Sequence, residues 1–150
     1  MSFKSDKMDA KNILNPKGWL IGLGALMILL TMPTMLDGQA TAEQMWGEGN
    51  VESHDAAYEE MWALHMVPLG IMAVATGLLV KGEALAKMAI TAALSLTVVV
   101  GGGMLYMTGE TGYASEMPAA FMMIPMLLGA ILGISGYMHM NDDEAPATEA

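Results

Sequence analysis

The side chains best suited to binding a cofactor or reacting lie in one stretch of the chain, from Ser53 to His65. Four of its residues follow one another at steps of four, three and four: His54, Tyr58, Met61 and His65. On an α-helix this spacing places them along one face. Imidazole and thioether groups ligate haem iron or copper, and a phenol can hydrogen-bond a quinone. These four residues, the histidine stripe, are therefore a candidate cofactor-binding face.

Helix geometry limits what the histidine stripe can hold. His54 and His65 are eleven residues apart, which is roughly 16 Å along a helix, so they cannot ligate one ion together. A site would need Met61 and His65 with further ligands from another helix. The competing interpretation is that His65 bonds a neighbouring carbonyl, Tyr58 belongs to an interfacial aromatic belt and Met61 packs against its neighbours. Both interpretations stay open, and the cofactor and any metal are unknown.

The methionines offer a second chemistry. The chain has 18 of them, and Met122 and Met126 are one helical turn apart, as in a sulfur-lined copper path. They occur in every apolar run rather than on one face, however, so flexible apolar packing explains them more simply. The acidic residues Glu43, Glu48, Glu52 and Asp55 could collect a divalent cation, although a solvated acidic loop is the simpler interpretation.

The element that carries the histidine stripe is one of four long apolar runs. Hydrophobic residues make up 54% of the chain and charged residues 15%, well below the roughly 25% of a soluble domain. The runs cover residues 18–36, 61–80, 88–107 and 117–140, each about the 20 residues that cross a bilayer. Because lipid cannot satisfy backbone polar groups, such runs must be helical. The sequence predicts an all-α integral membrane protein, a bundle of four transmembrane helices over residues 18–140.

The basic residues predict the orientation of these helices. All six are lysines, and they lie only before the first run or beside the turn between the second and third: Lys4, Lys7, Lys11, Lys17, Lys81 and Lys87. Segment 37–60 has seven acidic residues and no lysine. The positive-inside rule therefore predicts both termini in the cytoplasm and a longer acidic outer loop between helices 1 and 2. We expect a multi-pass protein of a prokaryotic plasma membrane.

The segments outside the bundle are expected to be irregular. Residues 1–17 form a polar leader of which residues 1–12 should be disordered, and residues 141–150 form a disordered acidic tail. An alternative makes the first apolar run a signal peptide cleaved near Ala40–Ala42; its length favours an uncleaved helix.

The second helix should begin near His54 with Ser53 as its N-cap. Since His65 and His139 then lie on opposite membrane faces, they cannot share one haem.

Small residues predict how the helices pack. Gly18 and Gly22 in the first run and Gly129 and Gly133 in the fourth have the four-residue spacing that lets helix backbones approach closely. This spacing serves contacts within one chain or between chains, and it does not distinguish them. Pro68, Pro125 and the glycines at 101–103 predict local bends.

These features predict a function without catalysis. Isolated hydroxyls with no histidine at matching depth provide no nucleophile and base, and the acidic composition (net charge -10) argues against a nucleic-acid partner. Our first expectation is an accessory or assembly subunit of a membrane complex, with the bilayer and other membrane subunits or further copies of itself as partners. The alternatives are a redox or ligand-binding protein holding haem, quinone or copper near the outer face, and a small oligomeric channel or carrier.

Overall fold

A computed structural model describes residues 10–142, and all regular structure within that range is helical. The elements are α1 (Ala10–Ile13), α2 (Pro16–Leu36), α3 (Gln39–Trp46), α4 (Asp55–Leu79), α5 (Gly82–Leu94), a π-helical segment (Ser95–Gly101), α6 (Gly102–Thr111) and α7 (Ala119–Met138). The predicted leader residues 1–9 and tail residues 143–150 lie outside the described range.

Four helical stretches in residues 10–142 are long and apolar enough to cross a membrane. They are Ala10–Leu36, Asp55–Leu79, Gly82–Thr111 and Ala119–Met138. The predicted all-α class with four membrane-spanning helices is confirmed to this extent. The third stretch is longer than the predicted 88–107, because α5 continues through the π-helical segment into α6 without an interruption at the three glycines.

The start of the first stretch differs from the expected disorder. Residues 10–13 form the helical turn α1, so the expectation for residues 10–12 was wrong. The indole nitrogen of Trp19 donates a hydrogen bond to Ile13 O over 3.1 Å, and Asn15 Oδ1 accepts one from Lys17 N over 2.9 Å. The first bond holds α1 against the first turns of α2, and the second caps the N-terminus of α2.

The helices form two antiparallel pairs in which glycines allow close approach. In the first pair, α2 and α4, a Cβ atom added to Gly24 would lie 2.6 Å from Gly70 O. In the second pair, α5 and its π-helical extension against α7, a Cβ on Gly136 would lie 2.6 Å from Ala86 O. Because such distances exclude any side chain larger than hydrogen, the glycines set how close each pair lies.

The two pairs meet in one small core. Its buried members are Leu20, Leu85, Ala89, Ala93 and Leu132. This core lies toward the end of the bundle that carries the α4–α5 turn, which we call the turn end; the other end, with segments 37–54 and 112–118, is the loop end. An ion pair between Lys11 and Asp142 places both limits of the described chain at the turn end.

Candidate functional site

The histidine stripe begins at the first residue before α4. His54 is the N-cap of this helix, but its side chain makes no capping hydrogen bond. The expectation that Ser53 caps the helix was wrong. The carboxylate of Asp55 stabilises the start instead, since its Oδ2 accepts a hydrogen bond from Glu52 N over 2.7 Å. The backbone N–H of Asp55 in turn donates to Glu52 O.

The stripe faces away from the bundle. All four members are exposed, with 57% of Tyr58 and 52% of Met61 accessible. The rings of His54 and Tyr58 meet edge to face with centroids 5.1 Å apart. The structure therefore brings the four residues together on one helix face, but it brings no second helix of the described chain over them.

His65 already uses one of its ring nitrogens. Its Nδ1 lies 2.6 Å from Met61 O, and because a carbonyl can only accept, Nδ1 carries the proton and donates. The lone pair of Nε2 is left for an outside partner. His139 lies at the turn end, where its Nδ1 donates to Ser135 O over 2.8 Å. Within residues 10–142 no three or more His, Asp or Glu side chains are grouped closely enough to hold a metal ion.

The opposite face of the same helix turns holds two buried carboxylates, of which the sequence analysis named Asp55 only as a possible cation ligand and did not name Glu59. Asp55 and Glu59 are 6% and 4% exposed. The hydroxyl of Tyr113 donates a 2.7 Å hydrogen bond to Glu59 Oε1. The ring of Tyr113 also meets Trp46 edge to face at 5.1 Å. Burial raises the pKa of Tyr113, and its bond to Glu59 and the charge of Glu59 raise it further.

Two backbone contacts complete this arrangement at the loop end. Ala114 N donates to Met45 O over 2.7 Å, and Gly38 N donates to Glu60 Oε1 over 3.2 Å. Together with the Glu59–Tyr113 bond they tie α3, α4 and segment 112–118 into one unit, which we call the loop clamp. The one sequence signal for it was the four-residue spacing of Asp55, Glu59 and the buried Ala63 on the face opposite the histidine stripe.

The proposed cation-collecting residues are not assembled into a site. Asp55 is buried and bonded to Glu52 N, while Glu43 Oε1 accepts a hydrogen bond from Gln39 Nε2 over 2.7 Å. Glu48 and Glu52 are exposed. Every buried side-chain nitrogen or oxygen in the described range has a hydrogen-bond partner. The buried carboxylates therefore hold the loop end together rather than face an open site.

The predicted packing glycines divide into two groups. A Cβ on Gly129 would collide with Thr97 Oγ1, and one on Gly133 would lie 3.2 Å from the Ala93 Cβ, so both contact the neighbouring helix of the same chain. Gly18 and Gly22 are exposed and have nothing within 4 Å of an added Cβ. Gly24 makes the close contact in α2 instead, because α2 turns that face toward α4.

Comparison with known proteins leaves the site to be interpreted from its geometry. No family model, curated protein or solved structure matches this chain.

Proposed function

We propose that this protein is a non-catalytic accessory or assembly subunit of a membrane complex, and that the histidine stripe on α4 contacts a transmembrane helix of a partner subunit. One observation carries the proposal: a histidine inside an apolar helix faces outward. Ionisable residues within membrane helices almost always face protein or water rather than lipid. An outward His65 is therefore explained if another protein covers it.

His65 lies little more than one helical turn below the expected membrane surface. The last charged residue before the apolar part of α4 is Glu60, and His65 follows it five residues later, which is roughly 7.5 Å further along the helix axis. At this depth a partner helix can take the place of water as the hydrogen-bond partner of Nε2. Hydrogen bonds between helices supply such partners in membrane proteins.

The neighbouring side chains suit a protein contact. Tyr58 and Met61 in the stripe and Trp62 beside it present large exposed surfaces, with 44% of Trp62 accessible. Aromatic residues and methionine are enriched where proteins meet. The loop clamp on the opposite face holds the start of α4 in place, so this surface is presented on a fixed helix rather than on a loose loop.

The proposed orientation follows from the lysines. The turn end carries Lys11, Lys17, Lys81 and Lys87, and by the positive-inside rule it faces the cytoplasm of a prokaryotic cell. The histidine stripe would then lie in the outer leaflet, and its contact with the partner helix would lie there too.

The test is the native mass of the complex extracted from its own membrane in a mild detergent. We expect wild-type protein to carry further polypeptides beyond its own 15.9 kDa. The double substitution Tyr58→Ala and His65→Leu should release them. The matched control is Tyr137→Ala, since Tyr137 is also exposed (72%) but lies on α7 toward the turn end.

Other outcomes would redirect the proposal. A homo-oligomer or monomer with unchanged mass in the double variant would contradict a partner at the stripe. A coloured preparation whose visible absorbance disappears in His65→Leu would instead favour the redox or ligand-binding alternative, with Nε2 as the ligand atom. Ion or solute flux in proteoliposomes containing this chain alone would favour the channel or carrier alternative.

A further inference from the structure

We infer that the groove on α2 at the turn end binds an anionic phospholipid, with the Lys17 ammonium on the phosphate and one acyl chain along Gly18 and Gly22. This surface is separate from the histidine stripe, and the inference does not depend on the proposed partner. It rests on the shape of the groove, the position of its charge and its length.

The shape of the groove comes from the missing side chains of α2. Gly18 and Gly22 are its floor, with nothing within 4 Å of an added Cβ. Trp19 and Ile13 border it at the turn end, where the Trp19 indole holds α1 in place. Leu128 of α7 also lines the groove. The volume is about 710 Å³, and the space is open on its outer side.

The charge of the groove is confined to one end. Lys17 and the amides of Asn12 and Asn15 line the mouth, and the rest of the lining is apolar. In the described part of the chain Lys17 makes no ion pair, whereas Lys11 pairs with Asp142 and Lys87 with Glu83. A cation without a carboxylate partner above an apolar channel matches a phosphate headgroup above its acyl chain. A lysine near the membrane surface attracts the headgroups of anionic lipids, and here one lysine lies at the end of an apolar channel.

The length of the groove distinguishes a lipid from a partner helix. Lys17 and Leu26 lie at the two ends of the lining. They are nine residues apart, which is roughly 14 Å along the helix axis. That is about the depth of one leaflet of a 30 Å hydrocarbon core. Beyond Leu26 the exposed face of α2 is filled by Leu29 and Leu30, which are 71% and 67% exposed. A groove one leaflet deep suits an acyl chain, whereas a helix crossing the membrane would need contacts in both leaflets.

The experiment is native mass spectrometry of the full-length protein in mild detergent, titrated with phosphatidylglycerol or phosphatidylcholine of identical acyl chains. We expect phosphatidylglycerol to be retained more tightly. Lys17→Gln should weaken its binding about fivefold, which corresponds to the roughly 1 kcal/mol that a juxtamembrane lysine contributes to anionic lipid binding. Phosphatidylcholine binding should fall less, because its choline cation offsets the charge of its phosphate. Gly22→Leu fills the channel and should lose both lipids.

Two controls separate the groove from the general surface. Lys81→Gln removes the other lysine of the described chain that has no ion pair, and Gly102→Leu fills open space on α6; neither should change lipid retention. Equal effects of Lys17→Gln and Lys81→Gln would overturn the inference, because they would show only general attraction of the basic end. So would unchanged retention in Gly22→Leu, or a change in its oligomeric state instead of its lipid content. If Gly22→Leu lowers the thermal stability, Gly18→Leu repeats the test at the same floor.

Discussion

Two glycines of α2 that lie two residues apart provide a direct test of the helix packing. A Cβ added to Gly24 would lie 2.6 Å from Gly70 O, 2.9 Å from Val74 Cγ2 and 3.0 Å from the Ala73 Cβ. The nearest atom belongs to the backbone of α4, so only a separation of the two helices could relieve the contact. Gly22 has nothing within 4 Å of an added Cβ. Gly24→Ala therefore places a methyl group against the α4 backbone, whereas Gly22→Ala places one in open space.

The expected magnitude comes from the difference between the two variants. Gly→Ala within a helix gains about 0.8–1 kcal/mol of helix propensity, and this gain applies to Gly22→Ala and Gly24→Ala alike. Overpacking costs about 1–3 kcal/mol and applies only to Gly24→Ala. We expect Gly24→Ala to be less stable than Gly22→Ala by this overpacking cost. The comparison does not depend on the absolute propensity scale in a membrane, since the gain cancels.

The assay is reversible unfolding in mixed micelles with increasing sodium dodecyl sulfate, followed by helix content in circular dichroism. Both variants should show wild-type helix content before unfolding. If the two unfolding free energies agree within about 0.5 kcal/mol, the range of a neutral surface substitution, then Gly24 does not lie against Gly70 and the α2–α4 packing is wrong. A larger loss in Gly22→Ala would contradict the packing even more directly.

Three further predictions concern the loop clamp, the second helix pair and the orientation. Tyr113→Phe removes the donor to buried Glu59 and should cost about 1–3 kcal/mol of unfolding free energy. Because the pKa of Tyr113 is raised on folding, the stability that it contributes is fully present below the unfolded pKa of about 10 and is lost as the pH rises above it. Wild-type stability should fall more steeply than that of Tyr113→Phe in an alkaline series, and parallel curves would contradict the clamp. Gly129→Leu collides with Thr97 and should destabilise the isolated protein, whereas Gly102→Leu should not lower its stability; equal stability of the two would contradict the α5–α7 contact. The chain has no cysteine, so an impermeant maleimide on intact cells should label Gln44→Cys and not Lys81→Cys, and the reverse pattern would overturn the proposed orientation.

Residue spacing predicted that the members of the histidine stripe share one helix face, but not the direction in which that face points. The steps of four, three and four correctly placed its members on one helix face, because the 3.6-residue period of a helix is a local property. Whether that face points into the bundle or away from it is not local. In lipid, an apolar side chain has a similar free energy inside the bundle and on its surface. Hydrophobic periodicity therefore does not mark the buried face as it does in water. The exposure of the stripe and the contact of Gly70 and Gly77 with α2 show that the stripe faces outward.

The loop clamp could not be predicted from spacing alone. Glu59 and Tyr113 are 54 residues apart in the sequence, and their bond depends on α3 and segment 112–118 folding over the start of α4. Ala114 has a positive φ of 58°, and its N–H donates to Met45 O, a contact between segment 112–118 and α3 that no local pattern in the sequence predicts.

The sequence by itself determined the class of this protein: four uncharged runs of membrane-spanning length must be helices, because lipid offers no partner for backbone N–H and C=O groups. The tertiary structure decided which glycines bring helices together and which are left open. Gly22 and Gly24 are the same residue type in the same helix, and only the rotation of α2 against α4 makes one a packing contact and the other the floor of a groove.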